Sequence, residues 1–239
     1  MKPAPFDYAA PRTLDDALAL LGEDAKPLAG GQSLVPLLNF RLARPKLLVD
    51  LNGVEGLAGL RLRAGSLWIG ALTRQRALES SRVVAEGWPV LRDAVGHVAH
   101  PAIRNRGTVG GSVAHADPAA ELPCVLSALD ARFHVRSRRG TRTLRHDEFF
   151  IGPLQSALEA DELLIEIEVP AVAPGARQAF AEHARTHGDF ALACVAIVGD
   201  RIGLGGVAPT PIVVATIDDA PIDDAYRRAL VADLVRRAA

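Results

Sequence analysis

The chain has 239 residues, 49% hydrophobic and 23% charged, with a mean hydropathy of +0.15 and a net charge of −1. That length allows a sizeable core in one to three domains, and near-neutrality argues against a nucleic-acid or membrane-surface protein. No stretch approaches the ~18 apolar residues of a membrane-crossing helix, and Met1 to Pro5 lacks the apolar core of a signal peptide.

In chain order, the pattern predicts a helix over Asp15–Leu21, with Thr13 at its cap and Leu14, Ala17, Leu18 and Leu21 forming an apolar stripe. Pro27-Leu28-Ala29 reads as a buried strand, Ser33 as the cap of a short helix through Leu38, and Lys46–Leu51 as the next strand. Residues 1–52 are thus expected to form a small β-α-β unit. After the break at Asn52-Gly53, two alternating runs, Leu60–Arg63 and Leu67–Gly70, predict a hairpin. Thr73 is expected to cap a helix through Leu78. Val90, Leu91, Ala94, Val95 and Val98 mark another helix, stopped at His100-Pro101. Asp117-Pro118 is expected to open a helix, with Pro118 at its first position. Strands follow at Arg132–Arg136, Thr141–Leu144 and Leu163–Val169, and the Arg136–Arg139 cluster reads as a hairpin tip. Pro170–Gly175 is a linker, so the second unit is expected to run 53–172 and a last, smaller α+β unit 176–239. That last unit carries strands at Ala179–Ala184, Cys194–Val198 and Ile202–Val207 and a helix over Tyr226–Arg237.

Two glycine turns carry the chemistry: Ala29-Gly30-Gly31-Gln32-Ser33 and Thr108-Val109-Gly110-Gly111-Ser112. Each follows an apolar stretch readable as a strand. Each is expected to offer bare backbone N–H groups beside small hydroxyl side chains, which suits a diphosphate because glycine permits close approach and positive φ. One Gly-Gly turn means little; two suggest paired units closing on one large phosphate-containing cofactor. Around the second turn, Thr108 and Ser112 as donors and Asp117 and Glu121 as acceptors would suit a cofactor that also carries a hydrogen-bonding ring or sugar. Other readings stay open. Asp117 also suits a helix N-cap, and Glu121 also favours a first helical turn through the dipole. His97, His100 and His115 are surface or capping histidines rather than a metal or covalent-flavin site. Arg104 and Arg106 either anchor a phosphate or face an acidic partner. Asp189-Phe190 either approaches the cofactor or places Phe190 in the core. Cys124 and Cys194 lie in apolar runs without partners at metal spacing, so they read as buried, inert thiols in a reducing cytoplasm, and no metal is expected.

The stretches 29–52 and 103–123, with His187–Ala191 and Gly205–Pro211, resemble the FAD-binding medium subunit of the molybdenum hydroxylases, the carbon monoxide dehydrogenase and xanthine dehydrogenase group. The resemblance covers nearly the whole chain. It implies an α+β protein: a two-lobed FAD-binding fold of the vanillyl-alcohol-oxidase (PCMH) type, followed by a small α+β domain. It makes Ala29, Gly30, Gly31, Gln32 and Ser33 one diphosphate clamp, with Lys26 near the adenine end. Thr108, Val109, Gly110, Gly111 and Ser112 become the other clamp, Asp117 a ligand of the ribityl or ring end supported by Glu121, and Leu163 or Leu164 a neighbour of the isoalloxazine. It implies FAD here and, on partner chains, a molybdenum cofactor (large subunit) and two [2Fe–2S] clusters (small subunit), in a dimer of heterotrimers. Electrons would pass from the clusters through FAD to an external acceptor, so no general base or nucleophile is required of this chain. Rival readings are a stand-alone flavin oxidase, needing a substrate cavity in the last unit, and an assembly subunit that has lost flavin. The sequence departs from the family where Val213 to Tyr226 looks shortened, which is expected to leave apolar surface exposed unless a partner covers it.

Overall fold

A computed structural model of the protein describes residues 2–238. The N-terminal β-α-β unit comprises β1 (Asp7–Ala9), α1 (Leu14–Leu20), β2 (Ala25–Leu28), α2 (Leu34–Asn39) and β3 (Leu47–Asp50), with both outer strands parallel to the central β3. Thr13 caps α1 by accepting from the Asp16 amide at 3.1 Å, and buried Ala17 and Leu18 face the sheet, where they meet Val49 and Leu51.

The middle of the chain holds β4 (Leu60–Arg63), β5 (Ser66–Gly70), α3 (Gln75–Ser80), α4 (Arg82–Gly87), α5 (Pro89–His97), α6 (Pro101–Arg106), α7 (Val109–His115), α8 (Glu121–Ala128), β6 (Arg132–Ser137), β7 (Gly140–Leu144), α9 (His146–Phe149), β8 (Phe150–Gly152), β9 (Gln155–Ser156) and β10 (Leu163–Val169). Five strands form an antiparallel sheet in the order β4-β5-β10-β6-β7. Their inward side chains, Leu67, Ile69, Phe133, Val135 and Ile167, are fully buried beneath α5, α7 and α8. Each such side chain contributes about 1.5–3 kcal/mol. Phe133, Phe149 and Phe150 pack with centroids 4.6–5.6 Å apart.

A second antiparallel sheet contains β11 (Gln178–His183), β12 (Ala193–Val198), β13 (Arg201–Gly205) and β14 (Ile212–Val214), followed by α10 (Ala225–Ala238). Strand β12 is buried along its whole length because alternate residues serve two cores. Cys194, Ala196 and Val198 join the core beneath α5 and α8, while Ala193, Val195 and Ile197 meet Val231 and Leu234 of α10. The short Val213–Tyr226 connection does not strip this strand, because α10 covers its outer face, while Phe190 and Tyr226 of the same unit stay exposed. Both cysteines are free and buried, and the Cys124 contact together with burial pushes the Cys194 thiol up.

Several local expectations are corrected. Thr73 does not cap α3; Arg74 stands at the cap position, and the Thr73 hydroxyl bonds Gly59 at both its N–H and its carbonyl. The helix after Asp117 starts at Glu121, three residues beyond Pro118, because Asp117 Oδ1 accepts from the Ala119 amide at 2.9 Å and shapes a turn instead. The second glycine turn follows helix α6, not a strand. Ser33 sits at the start of α2 without a side-chain cap bond. Phe190 is 65% exposed, so it is not a core residue. No described helix is long and apolar enough to cross a membrane.

Candidate functional site

The two glycine loops touch. A Cβ placed on Gly30 would lie 2.4 Å from the Arg106 carbonyl oxygen and 2.8 Å from the Gly107 Cα. Glycine is required here because two backbones share the space. Gly31 adds a positive φ of 75°, which turns the chain into α2.

The first loop leaves its amides open. The first bond of α2 runs from the Val35 amide to the Gly31 carbonyl, so the amides of Gln32, Ser33 and Leu34 carry no protein partner among the described residues. This is the ordinary deficit of a helix start, concentrated beside a glycine turn. The exposed Ser33 hydroxyl, free of capping, stands with them. Gln32 is held by its side-chain amide donating to the Gly30 carbonyl at 3.0 Å. Lys26 lies exposed on β2, and Ala29 precedes the turn.

The second loop is built differently. Val109 donates to Thr73 O at 2.9 Å, Gly110 to Ala71 O at 2.8 Å and Ser112 to Thr108 O at 3.1 Å. Gly111 donates to the Thr108 hydroxyl, which caps α7. These four amides are spent on the protein and only the Thr108 amide lacks a protein partner among the described residues, so the expectation of bare N–H groups holds for the first loop and only in part for the second. Val109 is fully buried, and a Cβ on Gly110 would strike Ala71 at 2.5 Å, so this glycine is needed for packing of α7 on the β5–α3 link. The lone bridge between Arg74 and Thr108 is closed by its neighbours' bonds, which turns the Thr108 amide away from the ladder. Gly111 and Ser112 remain partly exposed. The donor set that fits a diphosphate is therefore lopsided: an open nest at Gln32–Leu34 faces a rigid wall at Thr108–Ser112.

Asp117 is half-buried, and its turn meets the second sheet where the Gly206 amide donates to the Pro118 carbonyl at 2.7 Å. Leu163 and Leu164 are both buried, in separate clusters, just before a register shift in β10 between Leu164 and Glu166. Glu121 is 6% exposed, and burial pushes its carboxyl up to about 7, with Glu182 adding repulsion. Glu182 takes His97 Nδ1 at 3.2 Å through one oxygen, while its other oxygen is buried without a hydrogen bond. This Glu121–Glu182–His97 cluster was not legible beforehand, because its members come from α8, β11 and α5. His97 thus pairs with a buried carboxylate, His100 packs against Gly188, and no metal-binding group exists among the described residues.

Arg104 neither anchors a phosphate nor faces outward. It is 6% exposed and donates to both Glu79 oxygens, at 3.0 and 3.3 Å, and to the Val98 and Ala99 carbonyls. The Arg104 bond holds Glu79 below the usual carboxylate range despite some burial. Replacing Arg104 with Met should cost about 2–3 kcal/mol, since it leaves the Val98 and Ala99 carbonyls unpaired and Glu79 with Arg76 alone. Denaturant unfolding of R104M checks this, and an unchanged midpoint would refute it.

Two cavities border these elements. One of about 490 Å³ is lined by Asn52, Leu72, Arg74 and Ala77 among others; the other, about 630 Å³, lies between α5 and β11 and shares no residue with the glycine loops.

Residues 4–172 match the family described as the FAD binding domain in molybdopterin dehydrogenase. The chain is 49% identical over 195 residues to the 6-hydroxypseudooxynicotine dehydrogenase complex subunit alpha of Paenarthrobacter nicotinovorans, covering 80% of this chain and 66% of that protein. It is 40% identical over 224 residues to the carbon monoxide dehydrogenase medium chain of Hydrogenophaga pseudoflava, covering 89% of this chain and 78% of that one. A solved structure of carbon monoxide dehydrogenase from Hydrogenophaga pseudoflava superposes with a TM-score of 0.92 at 36% identity, covering 100% of this chain and 97% of that chain. The open amide nest, the glycine-to-glycine contact and these matches lead to one conclusion: the chain belongs to the family of FAD-binding domains of molybdopterin dehydrogenases.

Proposed function

We propose that this chain is the FAD-holding, electron-transfer subunit of a multi-subunit molybdenum hydroxylase. The observation that carries the reading is the run of uncommitted amides at Gln32, Ser33 and Leu34, set directly against the second glycine loop. These amides receive the diphosphate charge, and Ala29, Gly30 and Gly31 shape the turn that exposes them. Thr108, Val109, Gly110, Gly111 and Ser112 form the opposite wall. Lys26 lies toward the adenine end, Asp117 holds the ribityl or ring end with Glu121 behind it, and Leu164 lies near the ring. A bound flavin supplies redox chemistry that accepts electrons singly and releases them singly or in pairs; the protein's share is binding, orientation and exclusion of water.

In this reading the architecture is the two-lobed PCMH-type fold, with lobes at 1–52 and 53–172 and a small domain at 176–239. The partners are a molybdopterin-binding large subunit and a [2Fe–2S] small subunit, in a cytoplasmic dimer of heterotrimers. The relatives' names, subunits and medium chains of dehydrogenase complexes, support a partner-dependent oxidoreductase. The alternative, a stand-alone flavin oxidase, would need a substrate cavity in the last unit, and the cavity between α5 and β11 is lined there by Phe180 and His187.

The test is an absorption spectrum of the purified chain with and without added FAD, followed by acid release. Stoichiometric, releasable FAD is the expected result. A colourless chain that ignores FAD at high concentration, alone and with its partner subunits, would overturn the reading.

A further inference from the structure

The contact between the two glycine loops is held from behind by side chains that neither loop contains. Arg74 follows β5 and precedes α3. Its guanidinium donates through Nη1 to the Arg106 carbonyl and through Nη2 to Asn52 Oδ1 at 2.7 Å. Asn52 in turn donates from Nδ2 to the Ala29 carbonyl at 2.9 Å and to Asp50 Oδ1 at 2.6 Å. Asp50 also accepts from the Tyr8 hydroxyl and the Asn52 amide.

Ala29 opens the first loop, and Arg106 stands at the entry to the second. The chain Ala29–Asn52–Arg74–Arg106 therefore crosses from one loop to the other in three hydrogen-bonded steps. The orientation of each group is determined. Asn52 must present its oxygen to Arg74, since its nitrogen serves two carbonyl or carboxylate acceptors. Arg74 must be an arginine, because only a planar fork reaches two acceptors held apart at fixed angles. The same stretch seats the second loop directly: the Gln75 amide donates to the Gly107 carbonyl at 2.9 Å, and Thr73 and Ala71 accept from Val109 and Gly110. Gln75 is buried, with its Oε1 unpartnered against Gly107.

We infer that Arg74 and Asn52 are positioning residues, a bracket that fixes the gap between the two glycine loops and so pre-sets the spacing of the groups that grip the cofactor diphosphate. This inference rests on the FAD reading for its ligand, but not for its geometry. Without the bracket, Gly30 still permits the loops to approach, yet no other side-chain hydrogen bond among the described residues links one loop to the other. Binding must then bear the cost of closing them, which preorganisation otherwise removes.

The experiment compares the full-length chain with R74K, R74A, N52A and the R74A/N52A double variant by three readouts: FAD titration, apo thermal unfolding, and amide hydrogen exchange of peptides covering 29–34 and 107–112. The bracket predicts that R74A and N52A each weaken FAD binding about tenfold or more. It also predicts that the double variant is barely worse than either, because both break one chain of contacts. R74K should fail to restore affinity, exchange in both loop peptides should rise together, and the apo midpoint should move little. Affinity losses that simply multiply in the double variant, a lysine that fully rescues, or faster exchange in only one loop would overturn the bracket. If the wild-type chain ignores FAD, the exchange arm still decides: coupled loosening of both loops in R74A and N52A upholds the bracket while the flavin reading falls, and uncoupled loops refute it.

Discussion

Gly30→Ala should abolish FAD binding, with at least a hundredfold loss of affinity, about 2.7 kcal/mol or more. The added methyl would stand 2.4 Å from the Arg106 carbonyl oxygen and 2.8 Å from the Gly107 Cα, both backbone atoms that cannot swing aside. Relief comes only by parting the loops, which displaces the Gln32–Leu34 amides from the wall at Thr108–Ser112. The cost to stability is smaller, about 1–3 kcal/mol for a single overpacked contact, because the five-stranded sheet and the β11–β14 sheet lie outside it. The variant should therefore purify folded and colourless. Gly96→Ala is the matched control, since nothing lies within 4 Å of its added Cβ and helix α5 gains from alanine. Gly110→Val is a poorer probe, because the clash with Ala71 would damage packing and binding together. Flavin bound to G30A as tightly as to the wild type would remove Gly30 from the site.

The second large effect is on pH dependence. Glu121 has a carboxyl raised from 4.5 to about 7 by burial, so the folded state favours its protonated form. A raised acid costs stability as pH climbs: nothing below about 4.5, then progressively more, up to an order of 3 kcal/mol above about 7. His97 adds to the same slope. Its bond to Glu182 raises its pKa above 6.5 despite burial, so the stabilisation is complete below 6.5 and is lost as pH rises through the folded value. Glu79, Asp50 and Glu162 act oppositely, with folded values held below ordinary ones, so their contribution disappears only in acid. His146 opposes within this window, since burial lowers its pKa and stability then rises as pH climbs toward 6.5, but the Glu121 shift is the larger, so the apo chain should be most stable at mildly acidic pH and weaken toward pH 8. Glu121→Gln should flatten that decline, gaining about 1–3 kcal/mol at pH 8 and little at pH 5. Thermal unfolding of both proteins from pH 5 to 8 checks it. Parallel curves would show that Glu121 does not titrate in this range.

Local pattern was enough for the regular elements. The alternation of Leu163–Val169 predicts β10 residue for residue, and the runs at 60–63 and 67–70 predict a hairpin, because a half-buried strand must alternate and a turn must interrupt it. The 226–237 helix is likewise legible from its composition. The glycine turns are visible because glycine, small hydroxyls and their spacing are properties of a short segment. The three-residue strands β1 and β14 are not visible: they exist through pairing with β3 and β13, not through their own propensity. Neither is the start of α8, where the Asp117 turn outcompetes proline's preference for a first helical position.

Two glycine loops of the family's type, in order along the chain, are local features readable residue by residue, and they point to the cofactor class this protein is built around. Which loop keeps its amides free is a matter of the fold. It depends on the carbonyls of Ala71 and Thr73, thirty-odd residues from the second loop in sequence, which take the Gly110 and Val109 amides. The fold also decided that Arg104 turns inward to Glu79, that Arg74 and Asn52 join the loops, and that Glu121, Glu182 and His97 share one buried corner. Each of these depends on the distance between groups remote in sequence, and a desolvated charge or a committed amide is defined by its neighbours in space, not along the chain.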